Sequence, residues 1–92
     1  MAALSSTEIA QKLQAIPQWR LEKAALARSF SFSDFREAMS FVNSVAAVAE
    51  RAGHHPDIDI RYNQVNLALS SHDAGGITNR DFALAAEISH IL

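Results

Sequence analysis

The 92-residue chain contains no cysteine. It therefore has no disulfide framework, no thiolate nucleophile and no cysteine-ligated zinc site. It also lacks any internal repeat, low-complexity tract or interdomain linker. A length of this order is typical of one domain, so we expect a single domain spanning residues 1–92.

An excess of positive charge is missing as well. The net charge of −2 and the pI near 6.0 argue against a nucleic-acid surface, which needs a concentrated basic face. No run of 18 apolar residues predicts a membrane span, and the opening MAALSSTEIAQKLQ lacks the basic segment and apolar run of a secretory signal. We predict a soluble, cytoplasmic protein.

What the sequence does contain is an alternation of helical and strand periodicities. A capping box at Ser5 and Glu8 predicts a first helix, which Pro17 should end. Two short strands, WRLE and ALARSFSF, are then predicted around Lys23 and Ala24. The second alternates large apolar residues with alanine and serine, as a strand with one buried face does.

The segment SDFREAMSFVNSVAAVAERAG gives the clearest helical pattern. Ser33 or Asp34 can cap its start, and Gly53 lies where a helix terminator is expected. The predicted apolar stripe consists of Phe35, Ala38, Met39, Phe41, Val42, Val45, Ala46, Val48 and Ala49. A stripe this wide indicates a helix that lies across a sheet.

The segment DIDIRYNQVNLALSSH alternates on both sides of Asn63 and Gln64, which predicts a hairpin with its turn at these two residues. The predicted pairs on the apolar side are Ile58 with Leu69, Ile60 with Leu67, and Tyr62 with Val65. The same register, continued, places His55 opposite His72.

The last segment, HDAGGITNRDFALAAEISHIL, reads as a loop followed by a helix with a capping box at Thr78 and Asp81. The predicted order is therefore helix, two strands, helix, two strands, helix. This order favours an α+β domain with a mainly antiparallel sheet and helices on one face.

Three of the four histidines are predicted to meet at one end of that sheet. His54 and His55 lie at the joint between a helix and a strand, and His72 follows the second strand of the hairpin. Glu50 precedes His54 by one helical turn, so its carboxylate can reach the cluster. Because imidazole has an unperturbed pKa of about 6.5, the cluster favours general acid–base catalysis on a small substrate. His90 is interpreted as a solvated residue at a helix end.

Two other interpretations of the histidines stay open. They could have a purely structural role, in which they hydrogen-bond the loop backbone and fill space. The convergence of three histidines with a carboxylate, however, favours a chemical role. They could bind a metal ion, but adjacent side chains on an extended segment point apart, which disfavours His54 and His55 sharing one ion. Taken alone, Asp81 is interpreted as a helix cap and Arg80 as an exposed residue of a first helical turn.

The spacing of the cluster resembles the pterin-4a-carbinolamine dehydratase family. The residues that carry the resemblance are Glu50, His54, His55, Pro56, Tyr62, His72 and Asp81. Three residues separate Glu50 from His54, five separate Pro56 from Tyr62, nine precede His72, and eight more precede Asp81. The surrounding FREAMSFVNSVAAVAE and TNRDFALAAEI are similar as well, so the resemblance covers nearly the whole chain.

This resemblance implies a four-stranded antiparallel sheet with helices packed on one face. It also implies dehydration of a 4a-hydroxytetrahydropterin to the quinonoid dihydropterin during tetrahydrobiopterin recycling, with the pterin as substrate and with no cofactor or metal. The implied catalytic residues are His54, His55 and His72. We expect His55 and His72 to contact the reacting centre, with His54 as the alternative proton acceptor. The implied substrate-binding residues are Glu50, Pro56, Ser70, Ser71, Asp73, Arg80 and Asp81. Among these, Glu50 would orient a histidine or tune it electrostatically, and Asp81 would hold the His72 region or its loop.

The resemblance further implies a homodimer or homotetramer and a functional link to pterin-dependent aromatic amino-acid hydroxylases, which generate the carbinolamine. Some animal members of the family also act as dimerisation cofactors of a homeodomain transcription factor. The alternative function is therefore a non-catalytic pterin- or protein-binding module, and a small metal-binding protein is a third. The complete histidine set favours the enzyme, since binding a neutral ring does not require three titratable groups.

Overall fold

Three α-helices lie on one face of a four-stranded sheet in the computed structural model, which describes residues 2–92. The helices are α1 (Ser6–Leu13), α2 (Phe35–Ala52) and α3 (Asn79–Ser89). The strands are β1 (Arg20–Glu22), β2 (Ala25–Ser31), β3 (Asp57–Arg61) and β4 (Gln64–Leu69). None of the helices within residues 2–92 has the length and apolar character that a membrane crossing requires.

The strand order is β1-β2-β4-β3, and every neighbouring pair is antiparallel. On the face that packs against the helices, Leu26 pairs with Leu69 and Phe30 with Val65, and all four are buried. The opposite face carries small and polar residues because side chains alternate along a strand. The predicted α+β fold, with an antiparallel sheet and helices on one face, is confirmed.

The predicted helix caps are confirmed. The Glu8 N–H donates to Ser5 Oγ, and the Ser5 N–H donates to the Glu8 carboxylate. The Asp34 carboxylate accepts from the Glu37 N–H at the start of α2, and Gly53 ends that helix with φ of 63°, in the left-handed region that favours glycine.

The apolar stripe of α2 is narrower than predicted. Its buried members are Ala38, Phe41, Val42, Val45, Val48 and Ala49. Phe35, however, is 50% exposed, and Ala46 is exposed too, so the prediction was wrong for these two residues. The buried residues of α2 belong to the hydrophobic core shared with the sheet and α3, and Phe35, at the first helical position, is not part of that core.

The predicted turn of the second hairpin was displaced by one residue. Tyr62 and Asn63 form the turn, and the observed pairs are Ile58 with Leu67 and Ile60 with Val65. Two hydrogen bonds fix Asn63 opposite Phe32. The Phe32 N–H donates to the Asn63 carbonyl, and the Asn63 side-chain amide donates to the Phe32 carbonyl, both at 2.9 Å. Asn63 therefore continues the line of β4, and the turn falls earlier. Each pair moves by two positions in total, so the paired residues keep their predicted faces. Tyr62, which was predicted to pair with Val65 on the apolar side, instead lies in the turn and is 66% exposed.

Candidate active site

The site lies at the end of the sheet where α2 passes into β3 and β4 passes toward α3. The chain turns at Gly53, and the His54 N–H donates to the Ala49 carbonyl at 3.2 Å. When the β3–β4 register is continued past its last pair, His55 lies beside Ser70 and not opposite His72, as the shifted turn requires. A cleft of about 340 Å³ opens here, lined by Gly53, His54, His55, Ser70, His72, Asp73 and Arg80. The structure thus brings the three predicted histidines to one cleft.

His54 is held by a buried carboxylate. Its Nε2 lies 2.5 Å from Asp81 Oδ1, and the two side chains are 11% and 0% exposed. The other partners of the Asp81 carboxylate are hydrogen-bond donors, so we assign the proton of this bond to His54 Nε2. His54 Nδ1, which has no hydrogen-bond partner within residues 2–92, is then the ring nitrogen that can exchange a proton.

The second oxygen of Asp81 joins the site to its supporting loop. Asp81 Oδ2 accepts from the Ser71 hydroxyl and from the Thr78 N–H, both at 2.9 Å. The hydroxyls of Ser71 and Thr78 also lie 2.9 Å apart, and all three side chains are buried. The predicted capping box of Thr78 and Asp81 is confirmed, and the same carboxylate also orients His54.

His55 has a carboxylate partner of a different kind. Its Nε2 lies 2.5 Å from Glu50 Oε2 in the last turns of α2, but the two side chains are 64% and 76% exposed. Water can compete for both groups, so this pair can open and re-form when a ligand arrives.

His72 begins a short 3₁₀ turn, His72–Ala74, that follows β4. Two backbone hydrogen bonds between Ser71 and Gly76, of 2.8 and 3.2 Å, close this loop. The His72 side chain is exposed and makes no hydrogen bond to any residue from 2 to 92. Its ring is therefore held near the cleft by the backbone and keeps both nitrogens for a ligand.

Arg80 and Asp73 form an ion pair at the edge of the cleft, with Arg80 Nη2 2.6 Å from Asp73 Oδ1. The hydrogen bond from Arg80 lowers the pKa of Asp73. The pair therefore persists throughout the neutral range and is lost only as the pH falls through that lowered value. Arg80 is half-buried instead of freely exposed, and its Nε is buried without a partner within the described chain.

The remaining predicted site residues are placed differently. Ser71 is 1% and Asp81 0% exposed, so neither side chain reaches the cleft. Pro56 is half-buried at the entry to β3, and Tyr62 lies at the far end of that strand. The sequence interpretation missed Thr78 as a supporting residue; its capping box was visible, but the link to Ser71 appears only when the loop closes.

A larger depression, of about 560 Å³, lies on the open face of the sheet. No histidine lines it, and its charged residues include two pairs that neutralise each other, Arg20 with Glu22 at 2.8 Å and Arg61 with Asp59 at 3.0 Å. Within residues 2–92, no group of three or more His, Cys, Asp or Glu side chains is arranged to hold a metal ion. The histidine cleft is therefore the candidate active site.

Comparison with known proteins identifies the family. The chain belongs to the pterin 4 alpha carbinolamine dehydratase family, whose sequence profile matches residues 2–91. A protein of Acidobacterium capsulatum, provisionally named pterin-4-alpha-carbinolamine dehydratase, is 56% identical over 92 residues and is covered in full, as is this chain.

Two solved structures are similar as well. One, described as a transcriptional coactivator/pterin dehydratase from Brucella melitensis, superimposes with a TM-score of 0.91 at 33% identity and covers 97% of both chains. The other, a pterin dehydratase-like protein described as a RuBisCO assembly factor of the alpha-carboxysome, gives a TM-score of 0.67 at 27% identity over 80% of this chain and 88% of that one.

Proposed function

We propose that this protein is a 4a-hydroxytetrahydropterin dehydratase that releases water from the 4a-carbinolamine and forms the quinonoid dihydropterin, in tetrahydrobiopterin recycling. The observation that supports this most directly is the convergence of His54, His55 and His72 on one cleft. Two of these rings also contact carboxylates, which can stabilise an imidazolium while it carries a proton.

The reaction requires two proton transfers. The bond from C4a to its oxygen breaks, and that oxygen takes up a proton and leaves as water. The proton on N5 passes to a base, and the electron pair of the N5–H bond forms the new double bond between C4a and N5. One protonated and one neutral imidazole can supply both steps, and each general acid or base contributes about 10²–10⁴-fold.

In our proposal His55 is the acid and His72 the base. His55 has Glu50 beside it to balance the positive charge of the imidazolium, and its exposure lets it regain a proton from solvent. His72, which has no carboxylate partner among the described residues, accepts the N5 proton. His54 is the alternative acceptor through Nδ1, while Asp81 and Ser71 fix its orientation.

A protein-binding module is the second candidate, because the two similar structures carry the descriptions coactivator and assembly factor. Self-association as a homodimer or homotetramer is part of our proposal too, supported by the partly exposed Ile58 and Ile60 on edge strand β3. Sedimentation velocity would show a single monomeric species if this part is wrong. A cytoplasmic location and an aromatic amino-acid hydroxylase as the source of substrate complete the proposal.

Stopped-flow absorbance of chemically generated carbinolamine tests the function. We expect the protein to accelerate dehydration, and His55→Ala and His72→Ala to lower that rate by about 10²–10⁴-fold. Both residues are exposed, so thermal unfolding should change little. His90→Ala, at the exposed end of α3, is the matched control and should retain full activity. No acceleration above buffer, or full activity in both site variants, would exclude the proposal.

A further inference from the structure

A second cleft, of about 310 Å³, adjoins the histidine cleft. Lys23 and Ala24, in the turn between β1 and β2, line one side of it, and the segments 70–72 and 75–76 line the other. Ser70 and His72 line both clefts, so the two are separated by a single stretch of chain.

The sheet explains this arrangement. Strand β4 lies between β2 and β3, so the residues that follow it have β3 and the histidine pair on one side, and β2 with its turn on the other. Lys23 and Ala24 have φ of 50° and 61°, as in the tight turns of two-residue hairpins, which keeps the turn close to the end of the sheet. Since β2 and β3 are two strand spacings apart, about 10 Å, one elongated ligand can reach into both clefts.

The chemistry of the proposed reaction indicates how this ligand is oriented across the two clefts. In a pterin, N5 is bonded to C6, the ring atom that carries the variable tail. If His72 takes the N5 proton, the tail begins beside His72, the residue that both clefts share. A ring seated among the histidines can therefore extend its tail across His72 into the second cleft.

We propose that the second cleft is the subsite for the C6 tail of the pterin, and that Lys23 makes it favour a tail with an anionic group such as a phosphate ester. This inference rests on the proposed function. Lys23 is the only Lys, Arg, Asp or Glu that lines the cleft within residues 2–92, and it is exposed. The neighbouring Glu22 carboxylate also attracts Lys23, but its hydrogen bond to Arg20, at 2.8 Å, is its main interaction.

The test uses three 4a-carbinolamines that differ only at C6, where they carry a methyl group, a trihydroxypropyl group, or the same group as a phosphate ester. We expect the phosphorylated substrate to have the lowest KM. Lys23→Gln should raise that KM about two- to fivefold, and Lys23→Glu about tenfold, with no effect on the methyl substrate. Raising the salt from about 0.05 to 0.5 M should reduce the difference.

Lys12→Glu is the matched control, because it makes the same charge change at an exposed position on α1 that lines neither cleft. Equal KM for all tails, or equal effects of Lys23→Glu and Lys12→Glu, would overturn the inference and leave the dehydratase proposal standing. If the wild type dehydrates none of the substrates, equilibrium binding of oxidised, fluorescent pterins with the same tails decides the inference separately. Tighter binding of the phosphorylated pterin that requires Lys23 would support the subsite, and its absence would refute it.

Discussion

Two adjacent histidines in this protein make the same contact in opposite surroundings. His54 meets Asp81 and His55 meets Glu50, each through Nε2 at 2.5 Å. The Asp81 side chain is 0% exposed, while that of Glu50 is 76% exposed. The extended backbone explains why the two histidines meet carboxylates of different exposure, since successive side chains on an extended segment point to opposite sides.

The comparison indicates that the two pairs serve different purposes. An ion pair that is exposed contributes about 0–1 kcal/mol to folding, whereas breaking a buried one can cost about 3–5 kcal/mol because a charge is left without a partner. The buried pair is therefore suited to fixing the geometry of the site. The exposed pair is suited to exchanging protons with substrate and solvent.

Of the substitutions at the two pairs, Asp81→Asn should cause the largest loss of stability and activity. The amide would place a donor against one of three donors, namely His54 Nε2, the Ser71 hydroxyl or the Thr78 N–H. We expect chemical denaturation to show a loss of about 2–4 kcal/mol in unfolding free energy, and activity to fall by about 10²-fold or more.

Asp34→Asn is the control for that substitution. It makes the same change at an exposed cap of α2, where asparagine caps as well as aspartate, so stability and rate should stay close to those of the wild type. If Asp81→Asn matched this control, the buried pair would not be what fixes the site.

Ser71→Ala should have an intermediate effect. It removes one of the donors to Asp81 and one of the two partners of the Thr78 hydroxyl, which still accepts from the Arg80 N–H, so we expect about 1–3 kcal/mol of destabilisation. Because Ser71 is buried behind the site, kcat should fall about tenfold while KM changes little.

Ser71→Thr keeps the hydroxyl and suits the extended backbone at this position, so it should restore most of the activity. A rise in KM at constant kcat in Ser71→Ala would point instead to direct substrate contact, the role that the family resemblance implied.

Much of the fold could be predicted because its signals are local. The caps at Ser5, Asp34 and Thr78 each need only residues three positions away, and Gly53 marks its own helix end. The alternation of the strands also assigned the paired residues of β3 and β4 to the correct faces, which is why the histidine cleft was anticipated although the hairpin register and the place of Tyr62 were not.

The features that were missed depend on distant contacts. The hairpin turn is decided by Phe32, 31 positions before Asn63, and no pattern within the hairpin carries that information. The exposure of Phe35 depends on which residues of α2 join the core, and the helical period alone does not decide that. Likewise, Ser71 precedes His72 and looks like a lining residue until its hydroxyl is seen to face Asp81 across a distance of 10 positions.

Glu50→Gln should have the smallest effect on folding. It tests whether the exposed pair of His55 and Glu50 contributes to activity without stabilising the fold. Glutamine keeps the length of the side chain but loses the charge that balances a protonated His55. We expect unfolding free energy to change by less than about 0.5 kcal/mol, and kcat/KM to fall about three- to tenfold, measured by denaturation and by stopped-flow absorbance. Glu87→Gln, at an exposed position on α3, should change neither quantity. A destabilisation as large as that of Asp81→Asn would show that exposure does not separate the two pairs, because the carboxylate beside His55 would then be as necessary to the fold as the one beside His54.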